Sequence, residues 1–384
     1  MSNTRRVILI ISLFLDFFLL GPYALAGDLT CPDATTLDAL VTCIRNQMPQ
    51  AGSNGFVAPT ATEQSDWRTV VRQMLEGACD FALPSSLSGI MQIKTFTDAS
   101  DGKTYCVLME VRDDEPIETG GDGYVDRGWG TFITNPNPTR ELSHQAPHPI
   151  FDSTTENQAV TVFQATNSRS YLMCGADRRA NPPPSACQPS QQFGEADCAH
   201  NVNNMFQPTQ EELLAFYGAQ PWTAIQWHGM SAMTCPLVNA YLSLGFNATP
   251  PEDSQISVLQ SNMRLYHPDW SVQVPDSAGS PCTLNATDNV QGRLLNGVPP
   301  ERVCNTRAMT PTDKFIHIEQ QPGFRSASDW IPAVNDTWPE ATSSQVSAAG
   351  RLFVTPRLKS WCYEDLPSNG APTPSIGSDD LSAS

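Results

Sequence analysis

Three times along this chain a short apolar run hands over to a histidine, and this recurrence restricts the possible folds more than any other feature. Leu142 to Ala146 stops at Pro147-His148-Pro149, Thr223 to Trp227 delivers His228-Gly229, and Lys314 to Glu319 carries His317 and Glu319. Each run has the length of a buried strand, and helical periodicity lies before or after each one. Strands alternating with helices favour a parallel sheet, in which the carboxyl ends of separate strands meet at one edge. The expected fold is therefore α/β, a mixed, mostly parallel sheet flanked by helices, with an N-terminal helical piece and disulfide-stabilised loops.

The stretch from Glu141 to Phe163 concentrates the rarest chemistry. After the His148 turn come Asp152, Ser153 and Glu156, ahead of the apolar positions Ala159, Val160 and Phe163. A strand, a turn and a helix start place ligands where a loop and a helix N-terminus converge. An imidazole and two carboxylates within nine residues suit a metal. Ser153-Thr154-Thr155-Glu156 also reads as a capping box, which makes Glu156 a helix cap as readily as a ligand. Asp152 is the preferred acid because it lies nearer the turn, although it too could cap the helix.

The first 26 residues read as a secretory leader: Arg5-Arg6, an apolar run from Val7 to Leu20, then Ala24-Leu25-Ala26. An uncleaved anchor is disfavoured because the run is short and Asp16 interrupts it. The chain carries a net charge of −18 over 384 residues. Such an acidic surface offers no basic footprint, so nucleic acid and anionic membranes are excluded as partners. All eleven cysteines follow the leader, and in an oxidising compartment disulfides are the default reading. Cys43 or Cys31 is expected to bridge to Cys79, stapling two helices read between 31 and 79. The odd count leaves one thiol over, and Cys106 and Cys174, both in apolar runs, are the candidates. Sequons at Asn247, Asn285 and Asn335 mark expected surface loops.

The expected layout is a leader at 1–26, an N-terminal helical and β segment at 27–127, a catalytic core at 128–362 and a disordered tail at 363–384. Strands are expected near 90–96, 104–111, 131–134 and 170–173. The last of these ends in a loop bearing Asp177, Arg178 and Arg179. The acidic stretch 113–126 lacks the spaced ligands of a calcium loop and reads as solvated surface. A helix is expected to start near Asp197 and to bring His200, Asn204 and Phe206 together. His144 and His267 read as structural or surface residues, and His200 as a reserve ligand or substrate contact.

HPIFDSTTE, a strand ending in WHG and a later strand ending in HIEQ with Arg325 downstream resemble the secreted zinc carboxypeptidase, poly-γ-glutamate hydrolase and N-formylglutamate amidohydrolase families. The resemblance covers roughly residues 128–326 and implies a phosphorylase/hydrolase-like fold binding Zn2+. It implies that His148, His228 and an acid, Asp152 or Glu156, hold the metal and that Glu319 activates water. Carboxypeptidases place a glutamate three residues after the first histidine; here Asp152 stands four later and Glu156 eight later.

Alternation along Phe315 to Glu319 puts His317 and Glu319 on one face of their strand. They are either a base and the neighbour that tunes it, or a structural pair. Arg178, Arg179 and Arg325 are the cations available to clamp a substrate carboxylate or an oxyanion. The sequence lacks a Gly-x-Ser-x-Gly nucleophile elbow, and a cysteine nucleophile would need a reduced thiol. The expectation is a secreted, zinc-dependent hydrolase of amide bonds in a peptide-like or polymeric, carboxylate-bearing substrate. The alternative is a non-catalytic extracellular binding or surface protein on the same fold. The sequence leaves the oligomeric state open.

Overall fold

The computed structural model describes residues 31–111, 123–190, 192–276, 279–280 and 282–340. The expected leader, the tail, Cys362 and most of the acidic stretch 113–126 lie outside the described residues. So does everything in the second compact unit, which begins at residue 341.

Among the described residues nine strands form one sheet: β1 (Met91–Thr97), β2 (Thr104–Glu110), β3 (Thr131–Thr134), β4 (Arg140–Ala146), β5 (Ser168–Met173), β6 (Thr223–Gly229), β7 (Ala240–Ser243), β8 (Val272–Gln273) and β9 (Phe315–Gln320). Their spatial order is β1-β2-β3-β5-β4-β6-β9-β7-β8. The central block β5-β4-β6-β9 is parallel throughout, as is the rim pair β7-β8, while the remaining pairings are antiparallel. The strands that end in histidine or glutamate all belong to the parallel block, so their carboxyl ends share one edge.

Alternation along the strands divides the core into two layers. Val107, Tyr171, Ile225, Trp227, Ile316 and Ile318 face a cluster completed by α1 (Leu37–Asn46), α3 (Thr155–Ala165), α5 (Gln255–Tyr266) and α7 (Ala327–Thr337). Leu108, Leu172, Ala224 and Phe315 face the opposite layer, built from α2 (Ala61–Leu75) and α4 (Phe206–Tyr217). On this second face the central strands become polar toward their carboxyl ends, with Gln145, Gln226, His228 and His317 all buried. The helices form for local reasons. Thr36 caps α1, and Thr60 with Glu63 closes a capping box on α2. Leu37, Leu40, Val41 and Ile44 give α1 its buried stripe, as Trp67, Val70, Val71 and Met74 do for α2.

All ten cysteines among the described residues pair, as 31–43, 79–106, 174–198, 187–304 and 235–282. Five bridges fit an oxidising compartment. The pairing corrects two expectations. Cys79 joins Cys106 on β2 and not a cysteine of α1, because the two helices pack on opposite faces of the sheet. Cys106 and Cys174, the expected free thiols, are both bonded; apolar neighbours fit a buried bridge as well as a buried thiol.

Two sequons do not mark surface loops. Asn285 is buried, accepting from the Tyr241 hydroxyl and donating to Asn247, and Asn335 lies in α7. Only Asn247 is exposed. No helix among the described residues is long and apolar enough to cross a membrane.

Candidate metal centre

The loop after β4 is held in a strained conformation. Ile150 and Thr154, both β-branched, have φ of 70° and 71°, a region such residues rarely occupy. Strain of this kind persists where surrounding contacts over-determine it, often at functional sites. The Asp152 amide donates to the His148 carbonyl at 3.0 Å, folding both side chains toward one point. The left-handed Thr154 also displaces the expected capping box, and α3 starts with no side-chain cap. Glu156 instead turns away and lies 3.4 Å from the Arg45 guanidinium, leaving Asp152 as the acid beside the imidazoles.

His148 Nδ1, His228 Nδ1 and Asp152 Oδ2 form a nearly equilateral triangle. The imidazole nitrogens are 3.1 Å apart, and the carboxylate oxygen lies 3.2 Å from His148 and 3.3 Å from His228. All three side chains are buried. Tetrahedral zinc with ligands at about 2.0–2.1 Å requires donor atoms roughly 3.3 Å apart and, in catalytic sites, keeps a fourth position open. The residues therefore fit the metal in donor type, number and spacing.

The remaining ring nitrogens are held by acceptors. His148 Nε2 donates to Asp197 Oδ1 at 2.9 Å, and His228 Nε2 lies 3.4 Å from Gln226 Oε1. Both Nδ1 lone pairs are thereby turned toward the common point. Burial and the Arg178 guanidinium push the His148 pKa down, but Asp197 and Asp152 outweigh them and leave it raised. Burial drives His228 down to about 4. Asp152 stays below the usual carboxylate range despite its burial, because both imidazoles favour its ionised form. A proton on His148 and a metal ion thus compete for the same atoms.

Asp197 is the residue that sequence reasoning placed wrongly. It does not start a helix: it accepts from His148 and the Ala199 amide and pairs with the Arg178 guanidinium, and α4 begins only at Phe206. The Asn204 side chain accepts from the Gln207 amide in the first turn of that helix. The Cys174–Cys198 bridge ties the segment of Asp197 to the end of β5, beside the loop of His148. The Asp197-Cys198 adjacency was the available signal.

Glu319 and His317 face the same way, with His317 Nε2 at 3.5 Å from Glu319 Oε1. Their strand lies beside β6, and the His317 ring is 4.3 Å from that of His228. Burial, then repulsion from Asp152, raises Glu319 to about 8. Burial also pushes His317 well below its ordinary value, so this imidazole is neutral.

Of the three arginines, Arg178 is paired with Asp197 and lies 5.1 Å above the Phe151 ring. Arg179 stacks on the same ring at 4.5 Å and remains 60% exposed. Arg325 is buried, and its guanidinium donates to the carbonyls of Asp152, Ser153, Met230 and Gln320. It tethers the loop of His148 and Asp152 to the ends of β6 and β9. His200 stacks on Phe193 at 3.5 Å and is bonded to Gln188, outside the triangle. His144 is structural, bonded to Ser168 and Trp227, and His267 to the Asp329 carbonyl.

No protein-family model matches the chain, and no curated protein matches it in sequence. Among solved structures, it is similar to a gene product of Agrobacterium tumefaciens (8% identity, TM-score 0.29), with 55% of this chain and 88% of that one covered. It is also similar to a metallo-carboxypeptidase from Burkholderia cenocepacia (9% identity, TM-score 0.27), covering 73% of this chain and 68% of that one.

Proposed function

We propose that this chain is a secreted zinc-dependent hydrolase that cleaves amide bonds in peptide-like or γ-glutamyl-like substrates bearing a free carboxylate. The observation that carries the reading is the triangle of His148 Nδ1, His228 Nδ1 and Asp152 Oδ2 at 3.1–3.3 Å. A zinc ion held by these atoms would polarise the scissile carbonyl and acidify a water at the open position.

The protein's own groups then divide the work. Asp197 keeps the His148 lone pair pointed inward through its bond to Nε2. Glu319, on the strand beside His228, takes the proton of the attacking water on its carboxylate and passes it to the leaving amine. Burial and, second to it, repulsion from Asp152 favour the protonated form of Glu319, and a cation held beside Asp152 would relieve the second of these and move the carboxyl toward its basic form. Neutral His317 orients that carboxylate. Arg179, exposed over Phe151 and paired with Asp177 at 3.3 Å, is the cation assigned to a substrate carboxylate.

The test is metal content and hydrolysis together. The purified mature protein should hold one zinc per chain by elemental analysis and release C-terminal residues from peptide or γ-glutamyl substrates. His148→Ala and His228→Ala should each lose the zinc while keeping the fold by circular dichroism. No zinc in the unsubstituted protein after add-back would overturn the reading and favour a non-catalytic extracellular binding protein.

A further inference from the structure

Behind His228 lies a chain of buried amides whose direction cannot be reversed. It starts at a backbone donor: the Gly292 amide donates to Asn289 Oδ1 at 2.8 Å, capping α6 (Val290–Leu295). With its oxygen so engaged, Asn289 presents Nδ2 to Gln226 Oε1 at 2.7 Å. From the other side, Gln291 Nε2 donates to the Cys198 carbonyl at 2.8 Å, a fixed acceptor, so Gln291 Oε1 is left to accept from Gln226 Nε2 at 3.4 Å. Gln145 Oε1 accepts from the same nitrogen at 3.2 Å. Gln145, Gln226, Asn289 and Gln291 are all buried, where a reversed amide would set like groups against one another. Gln226 therefore turns its oxygen toward His228 Nε2, 3.4 Å away, which favours a hydrogen on that nitrogen, while Nδ1 faces His148 Nδ1 at 3.1 Å and Asp152 Oδ2 at 3.3 Å.

We propose that the Gly292 backbone amide, relayed through Asn289 and Gln226, fixes His228 in the Nε2–H tautomer and so keeps Nδ1 free as a metal ligand. Asn289 and Gln226 are positioning residues: neither approaches the reacting atoms, and each acts through the imidazole. The proposal rests on the metal-centre reading above, but the tautomer it names is a property of the metal-free protein and can be read without a metal.

The experiment uses full-length mature protein labelled with 15N-histidine. In the metal-free parent at pH 7.5, His228 should show a protonated Nε2 and an unprotonated Nδ1 in long-range 1H–15N spectra. A protonated Nδ1 there would overturn the proposal. Asn289→Asp keeps the cap on Gly292 but sets a carboxylate oxygen against Gln226 Oε1, a repulsion relieved by reversing the Gln226 amide at the cost of its bonds to Gln145 and Gln291, which places a donor against His228. His228 should then shift to the Nδ1–H form, and the zinc Kd, measured by chelator competition, should weaken about 10–100-fold. Gln226→Met, which removes the acceptor without adding charge, provides a second reading, with mixed tautomers and a roughly tenfold weaker Kd expected. A folded variant that retains the parental tautomer and a Kd within about twofold overturns the relay. If the parent binds no zinc, the proposed function fails, whereas the spectra still decide the tautomer.

Discussion

Replacing Gly229 with alanine would distinguish a structural tether at Arg325 from a substrate clamp. A Cβ at Gly229 would lie 2.3 Å from Arg325 Cζ and from one of its terminal nitrogens. Since carbon contacts settle at about 3.5 Å, the guanidinium would have to retreat by roughly 1 Å. Its bonds to Asp152 O at 2.6 Å, Ser153 O at 2.9 Å, Gln320 O at 3.1 Å and Met230 O at 3.3 Å cannot all survive that shift. Losing one or two bonds from a charged donor, at about 1.5–3 kcal/mol each, gives a cost of roughly 3 kcal/mol. Urea unfolding of the metal-free protein measures this directly. The decisive step is a double-mutant cycle: with Arg325→Ala in place, the same alanine has nothing to displace and should cost no more than about 0.5 kcal/mol. An equal cost in both backgrounds would refute the tether. So would a parent that tolerates Gly229→Ala in stability while its KM rises, the pattern of a substrate clamp.

Two further outcomes follow from the buried carboxylates. Glu319→Gln should retain stoichiometric zinc by elemental analysis and lower kcat by about 10²–10⁴-fold, the usual contribution of a general base; loss of zinc would show that Glu319 acts as a ligand. Glu110 is buried and accepts from the backbone amides of Arg127 and Trp129, yet burial raises its pKa to about 7. Its folded form holds a proton that the unfolded form has lost, so its contribution is complete below about pH 4.5 and is lost as pH rises through 7. Relative to Glu110→Gln, the parent should lose up to about 3 kcal/mol across that window by chemical denaturation; parallel curves would refute the assignment.

The order of apolar runs was enough to indicate an α/β sheet whose parallel strands end in His148, His228 and Glu319, because burial on both faces imposes a pattern that local sequence records. The helix faces at Leu37 to Ile44 and Trp67 to Leu75 were legible for the same reason. The choice between Asp152 and Glu156 was not. It depended on Thr154 entering the left-handed region and on Arg45, more than a hundred positions away, approaching Glu156. Disulfide partners were equally hidden, since Cys79 could be assigned to Cys106 only once α1 and α2 lay on opposite faces of the sheet.

What the sequence determined alone is the set of chemical groups and the strand ends that deliver them, since alternation and helical periodicity are properties of neighbouring residues. What only the tertiary structure decided is which atoms of those groups face one another. Asp197 lies 49 residues from His148, and Asn289 lies 63 from Gln226. Asn289 carries no local pattern to distinguish it from an ordinary surface residue, and Asp197 only its place beside Cys198. The direction of each imidazole lone pair is fixed by hydrogen bonds that close across the whole fold, which no run of adjacent residues encodes.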